Sequence, residues 1–218
     1  MRKILSFLVF WLAAIAGGPG GAAGPVTIAA LGDSLTQGYG LPQGDGFVAQ
    51  MQAWLDQRGA DVTLINAGVS GDTTAGGAAR VGWTMTPEVG GLIVALGGND
   101  LLRGIDPAET RANLEMILKA AQEAGVAVLL VGMVAPGNYG ADYKAAFDAI
   151  YPDLAAQYGT LYAESFLGGI AGPRPDPADL LPYLQGDGIH PNARGVARIV
   201  AALGPKVLDL AERAAPRR

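Results

Sequence analysis

Five short apolar runs, separated by segments with helical spacing of apolar residues, restrict this chain's fold most. The runs lie at residues 26–31, 62–67, 92–96, 126–131 and 160–163. They have strand length, and the third is apolar throughout, the pattern of a strand buried on both faces. Residues 47–57 carry Phe47, Val48, Met51, Trp54 and Leu55 at helical spacing, with Gly59 as the stop signal. Asp72 or Thr73 can cap a short helix through Val81. Asp106, Pro107 and Glu109 read as N-cap, N1 and N3 of a helix whose apolar face is Leu114, Ile117, Leu118 and Ala121, ended by Gly125. Residues 141–158 predict a helix with a kink or break at Pro152. A last helix is expected over 193–211, a Gly/Pro-rich loop over 168–182 and a frayed polar tail over 212–218. Alternation of this kind predicts an α/β fold, a parallel sheet covered by helices on both faces with right-handed crossovers.

The 218 residues suffice for one domain with a full core, and neither an internal repeat nor a second-domain linker is visible. Half the residues are hydrophobic and 16% are charged, which argues against disorder. The net charge is −5 and no Lys/Arg cluster lies away from the termini, so nucleic-acid binding has little support. Cysteine is absent, which removes disulfides, thiol catalysis and thiolate metal sites. Arg2 and Lys3 precede an apolar run at 4–16 and then small residues, with Ala14-Ile15-Ala16 or Gly21-Ala22-Ala23 as cleavage ends. That is the layout of a secretory signal peptide, and the run is shorter than the about 20 apolar residues of a membrane span. The expectation is a signal over 1–23 and a single domain over 24–218, periplasmic or secreted, with no stable membrane anchor after cleavage.

Polar motifs follow the strands, and in open α/β sheets the site lies outside the carboxyl ends of the strands. Ser34, in Gly32-Asp33-Ser34-Leu35-Thr36, sits at the end of the first run. A serine nucleophile needs a base, and the chain has one histidine, His190, in Asp187-Gly188-Ile189-His190-Pro191-Asn192. Asp187 can hold the imidazole tautomer and stabilise the imidazolium. The order Ser, Asp, His matches α/β-hydrolases, although their Gly-x-Ser-x-Gly elbow is absent. So short an Asp-to-His spacing requires one loop to carry both, with Gly188 as the bend and Pro191 at the start of the last helix. Blander readings are an N-cap or turn for Ser34, and a turn with a surface histidine for Asp187 and His190. A metal held by Asp187 and His190 lacks further ligands. Acyl transfer also needs oxyanion donors, and the candidates are the Ser34 N–H, the Gly71 N–H and the Asn99 amide. A helix-entry glycine and an Asn99-Asp100 turn are the alternatives.

Together these residues resemble a known family. Gly32-Asp33-Ser34-Leu35, Gly71 after Asn66-Ala67-Gly68-Val69-Ser70, Gly97-Gly98-Asn99-Asp100 and Asp187-Gly188-Ile189-His190-Pro191-Asn192 look like the four blocks of the SGNH (GDSL) hydrolases, in order. Asn138-Tyr139-Gly140 and Ile150-Tyr151-Pro152 are similar to the thioesterase I / lysophospholipase L1 / arylesterase branch. The resemblance implies a three-layer α/β/α sandwich on a flavodoxin-like five-stranded parallel sheet. It implies Ser34 as nucleophile, His190 as base, Asp187 as its partner, and Ser34, Gly71 and Asn99 as the oxyanion hole, with Asp33 bracing the nucleophile loop. The loop after Asn99, with Leu101, Leu102 and Ile105, would touch the acyl chain. The expected activity is hydrolysis of small-molecule acyl esters and thioesters, lysophospholipids and aryl esters through an acyl-enzyme. No cofactor or metal is needed, and a monomer is expected. The alternatives are a carbohydrate O-acetyl esterase with a small polar pocket, and a catalytically idle binding protein.

Overall fold

The computed structural model describes residues 24–171 and 177–215. The signal peptide read at 1–23 lies outside them, as does the end of the tail. Strands β1 (Val26–Gly32), β2 (Val62–Gly68), β3 (Val89–Ala95), β4 (Ala127–Val131) and β5 (Leu161–Ala163) form one sheet. Its order is β2-β1-β3-β4-β5, with every pairing parallel. Helices α1 (Ser34–Gln37), α2 (Phe47–Asp56), α3 (Thr74–Thr84), α4 (Gly98–Arg103), α5 (Pro107–Glu123), α6 (Ala141–Tyr158), α7 (Gly168–Ala171), α8 (Pro177–Leu180) and α9 (Ala193–Ala214) connect and cover it. The α2, α7 and α9 helices pack together, and α3, α5 and α6 form the other layer. The result is the expected α/β/α sandwich.

The residue types explain the strands. The three central strands have β-branched or leucine side chains on both faces, and Ile28, Leu31, Leu92, Val94, Leu129 and Val131 are fully buried. Each such side chain contributes about 2 kcal/mol by leaving water. The edges differ: β2 exposes Thr63, Ile65 and Asn66, and β5 has three residues. Helix ends follow the sequence signals. Asp106 accepts from the Ala108 N–H with Pro107 behind it. Thr73, rather than Asp72, caps α3 by accepting from the Gly76 N–H. Gly59 and Gly125 close α2 and α5 with left-handed backbones.

Four expectations change. First, α6 runs unbroken through Pro152. Proline removes one ladder hydrogen bond, but Phe147, Ile150, Tyr151 and Leu154 are buried around it and hold the helix. Second, α9 continues to Ala214, past exposed Pro205, so Glu212 and Arg213 are helical rather than frayed. Arg213 donates to the Gly159 carbonyl, which ties down that end. Third, the 168–182 segment contains α7, α8 and the start of a 3₁₀ turn at Leu181–Tyr183. Fourth, Pro191 precedes the last helix: Asn192 is its N-cap, and Pro191 pairs with Leu184 in an isolated antiparallel bridge. Among the described residues no helix is long and apolar enough to cross a membrane.

Candidate active site

The strand order reverses between β1 and β3, and both strands deliver polar residues from their carboxyl ends at that point. Gly32 ends β1. A Cβ there would meet the Thr36 side chain at 2.0 Å and the Ala95 carbonyl at 2.9 Å, so only glycine lets the chain turn this tightly. Asp33 then caps the single-turn α1 by accepting from the Leu35 N–H at 3.0 Å, and Ser34 is its first residue. The N-cap is thus Asp33 and not the serine. Beside it, α4 starts at Gly98 and carries Asn99, so this segment too is a helical turn rather than a loop. Fully buried Asp100 anchors α4: it accepts from the Thr74 N–H at 2.9 Å, the Thr74 hydroxyl at 2.5 Å and the Thr110 hydroxyl at 3.2 Å.

The Asp187–His190 loop comes from the far end of the chain. Asp187 Oδ1 accepts from the N–H groups of Ile189 and His190 at 2.9 and 3.0 Å, and Gly188 makes the bend at φ +69. Asp187 Oδ2 lies 2.6 Å from His190 Nδ1. The His190 hydrogen bond, helped by those two N–H groups, lowers the Asp187 carboxyl to about 2. An ionised carboxylate only accepts, so Nδ1 carries the imidazole proton and Nε2 is left as an acceptor. Nε2 faces Ser34 Oγ at 2.9 Å, across 156 residues of sequence. Such a chain of hydrogen bonds lets an imidazole take a hydroxyl proton.

A cavity of about 920 Å³ opens over this triplet. Ser34, Gly71, Asn99, Leu101, Leu102, Asp187 and His190 all line it. Ile105 does not: it follows the left-handed Gly104, and its carbonyl accepts from the Tyr143 hydroxyl at 2.8 Å. Gly71 has φ +83 and open space where a Cβ would lie, with only Arg103 at 3.8 Å. Asn99 Nδ2 donates to Asp33 Oδ2 at 3.2 Å, which leaves its second amide hydrogen free for another acceptor. Burial raises the Asp33 carboxyl to about 6 against the pull of the Leu35 N–H and the Asn99 amide. A second cavity, about 530 Å³, lies at the opposite ends of β4 and β5, beside Val126, Thr160 and Arg213. The chain's one histidine is elsewhere, so that cavity has no imidazole base.

The family model of the GDSL-like lipase/acylhydrolase family matches residues 30–198. The chain belongs to the GDSL-like lipase/acylhydrolase family. It is 38% identical over 185 residues to Esterase TesA of Pseudomonas aeruginosa, covering 84% of this chain and 89% of that one. It is 35% identical over 173 residues to thioesterase 1/protease 1/lysophospholipase L1 of Escherichia coli, covering 78% of each. The crystal structure of AlinE4, an SGNH-hydrolase family esterase, superposes with a TM-score of 0.69 at 43% identity, over 86% of this chain and 97% of that one. This GDSL-like hydrolase is therefore a serine hydrolase of ester bonds.

Two neighbours of the triplet escape sequence reasoning. Tyr39 sets its ring 4.6 Å from the His190 ring, tilted by 39°. Gln185 joins the serine-bearing and histidine-bearing loops by donating to the Tyr39 and Pro191 carbonyls at 2.8 and 3.0 Å. An aromatic five residues after the serine was a visible signal for Tyr39. Gln185 gave none, because its partner lies 146 residues away.

Proposed function

We propose that this hydrolase cleaves carboxylic esters and thioesters through an acyl-enzyme on Ser34. The continuous contact from Ser34 Oγ through the His190 ring to Asp187 carries the proposal. Ser34 Oγ attacks the acyl carbon while its proton moves to His190 Nε2. The oxygen–carbon bond forms, and the carbonyl pair moves onto oxygen as an oxyanion. The Ser34 N–H, the Gly71 N–H and the Asn99 amide are the donors for it; one such donor is worth about 3–4 kcal/mol. Collapse breaks the bond to the leaving alcohol or thiol, which takes the proton from His190. Water, deprotonated by His190, then releases the carboxylic acid and restores Ser34. Asp187 keeps the ring oriented and balances the imidazolium.

Small-molecule acyl esters with an apolar acyl group are the proposed substrates, including aryl esters and lysophospholipids. Leu101, Leu102, Met133, Val134 and Leu167 give the cavity an apolar wall, and its volume of about 920 Å³ is ample for an acyl chain, whereas an acetyl-carbohydrate esterase would need a small polar one. The proposed location is the periplasm or the exterior, on the strength of the charged start and apolar run of residues 1–23.

Hydrolysis of p-nitrophenyl esters from acetyl to palmitoyl tests this, with Ser34→Ala beside the wild type. The expected result is a maximum beyond acetyl that falls by about 10⁴-fold or more in the variant. Activity on acetyl alone would transfer the enzyme to the carbohydrate esterases. Activity that survives in Ser34→Ala overturns the acyl-enzyme.

A further inference from the structure

One wall of the cavity is formed by residues 133–136, and it is held by two side chains of α6: Lys144, which itself lines the cavity, and Asp148, which does not. Ala135, in that wall, is 1% exposed. Its N–H donates to Asp148 Oδ1 at 2.8 Å, and its carbonyl accepts from Lys144 Nζ at 2.6 Å. Lys144 Nζ also donates to Asp148 Oδ2 at 2.7 Å, so the pair grips both polar groups of one buried residue.

The pair does little for its own helix. Lys144 lies one turn from the N-terminus of α6, where the helix dipole disfavours a cation. Lysine ahead of the acid at i,i+4 is the weaker order for such a pair. Both side chains are over a third exposed, at 39% and 34%, so the ion pair alone stabilises the fold only slightly. What it does supply is partners for a buried N–H and C=O, which cannot be left unmade cheaply.

We propose that Lys144 and Asp148 are positioning residues that set acyl-chain selectivity by fixing this wall. The proposal rests on the acyl-ester reading above. Without the pair, the Ala135 N–H and C=O must find water, and the wall has to move outward to admit it. Met133, Val134 and Pro136 move with it, and all three line the cavity beside that contact. A long acyl chain loses its packing against them, while an acetyl group has almost no chain to lose.

The test compares wild type with Lys144→Met, Asp148→Ala and Lys144→Arg on p-nitrophenyl acetate and p-nitrophenyl decanoate. Lys144→Met and Asp148→Ala should each lower the decanoate-to-acetate ratio of kcat/KM about tenfold, mostly through KM, from the lost pairing of one buried group. Lys144→Arg keeps the donor and should recover most of the ratio. An unchanged ratio, or equal falls on both esters, overturns the proposal. Binding of cis-parinarate, followed by its fluorescence, supplies a readout without turnover. Weaker binding in Asp148→Ala, which keeps the Lys144 cation in the cavity, supports the proposal and equal binding overturns it. A wild type that hydrolyses neither ester refutes the acyl-ester reading itself, a different result from an unchanged ratio.

Discussion

Asp33 is caught between burial, which favours its neutral form, and two donors that favour the carboxylate. Burial wins, and the carboxyl is raised from 3.8 to about 6. Because the folded value lies above the unfolded one, the group stabilises the fold fully below pH 3.8 and loses that contribution as pH rises through 6. The loss amounts to roughly 3 kcal/mol by neutral pH. In Asp33→Asn no charge forms at any pH. Urea denaturation at pH 4 and pH 7 should therefore show the variant gaining on the wild type by about that amount; a constant difference would contradict the buried ionisation. Activity should move the other way. With its oxygen on the Leu35 N–H, the new amide of Asp33→Asn would turn its NH₂ group toward the Asn99 NH₂. Asn99 then has to rotate its amide, which withdraws a proposed oxyanion donor. The expected effect is about a 10²-fold fall in kcat with little change in KM. A fall confined to KM would make Asn99 a ground-state contact.

At the scale of elements, the proposed catalysis depends on two loops from opposite ends of the chain staying in register. Gln185 is placed to enforce this. Its side chain bonds the Tyr39 carbonyl of one loop and the Pro191 carbonyl of the other, while its backbone N–H donates to the His190 carbonyl at 2.7 Å. Gly40 makes room, since a Cβ there would lie 2.3 Å from Gln185 Oε1. Gln185→Ala should slow fluorophosphonate labelling of Ser34 about ten- to a hundredfold, because small misplacements of reacting groups are costly. Two neutral hydrogen bonds are worth about 1 kcal/mol each, so Tm should drop only a few degrees. Labelling at the wild-type rate would remove Gln185 from the positioning machinery. The contrast between what could and could not be read from sequence has the same origin. The caps at Asp106, Gly59 and Gly125 are local, and a single histidine left little choice of base for Ser34. The Gln185 strap and the grip of Lys144 and Asp148 on Ala135 join distant segments, and their spacing in sequence looks ordinary. Pro152 misled for a related reason: the local penalty was visible and the buried face opposing it was not.

For the whole molecule, the doubly wound sheet separates the machinery from the scaffold, and the α2–α9 contact shows how closely the scaffold is packed. Gly204 sits inside α9, where alanine would be favoured by about 1 kcal/mol on helix propensity alone. Yet a Cβ there would lie 2.6–2.8 Å from three atoms of the Trp54 indole. An indole is rigid, and the Arg58 guanidinium lies over it at 3.6 Å from the ring centre, so it has little freedom to yield. Overpacking of this kind costs about 1–3 kcal/mol, more than the gain in propensity. Gly204→Ala should therefore lower Tm by about 2–4 °C. Neither Gly204 nor Trp54 lines the cavity over Ser34, so kcat/KM on every ester should stay at the wild-type value. A rise in Tm would mean that the indole gives way and that propensity governs the contact. An unchanged Tm with altered ester selectivity would mean that the α2–α9 layer communicates with the site through the sheet, against the separation the topology implies.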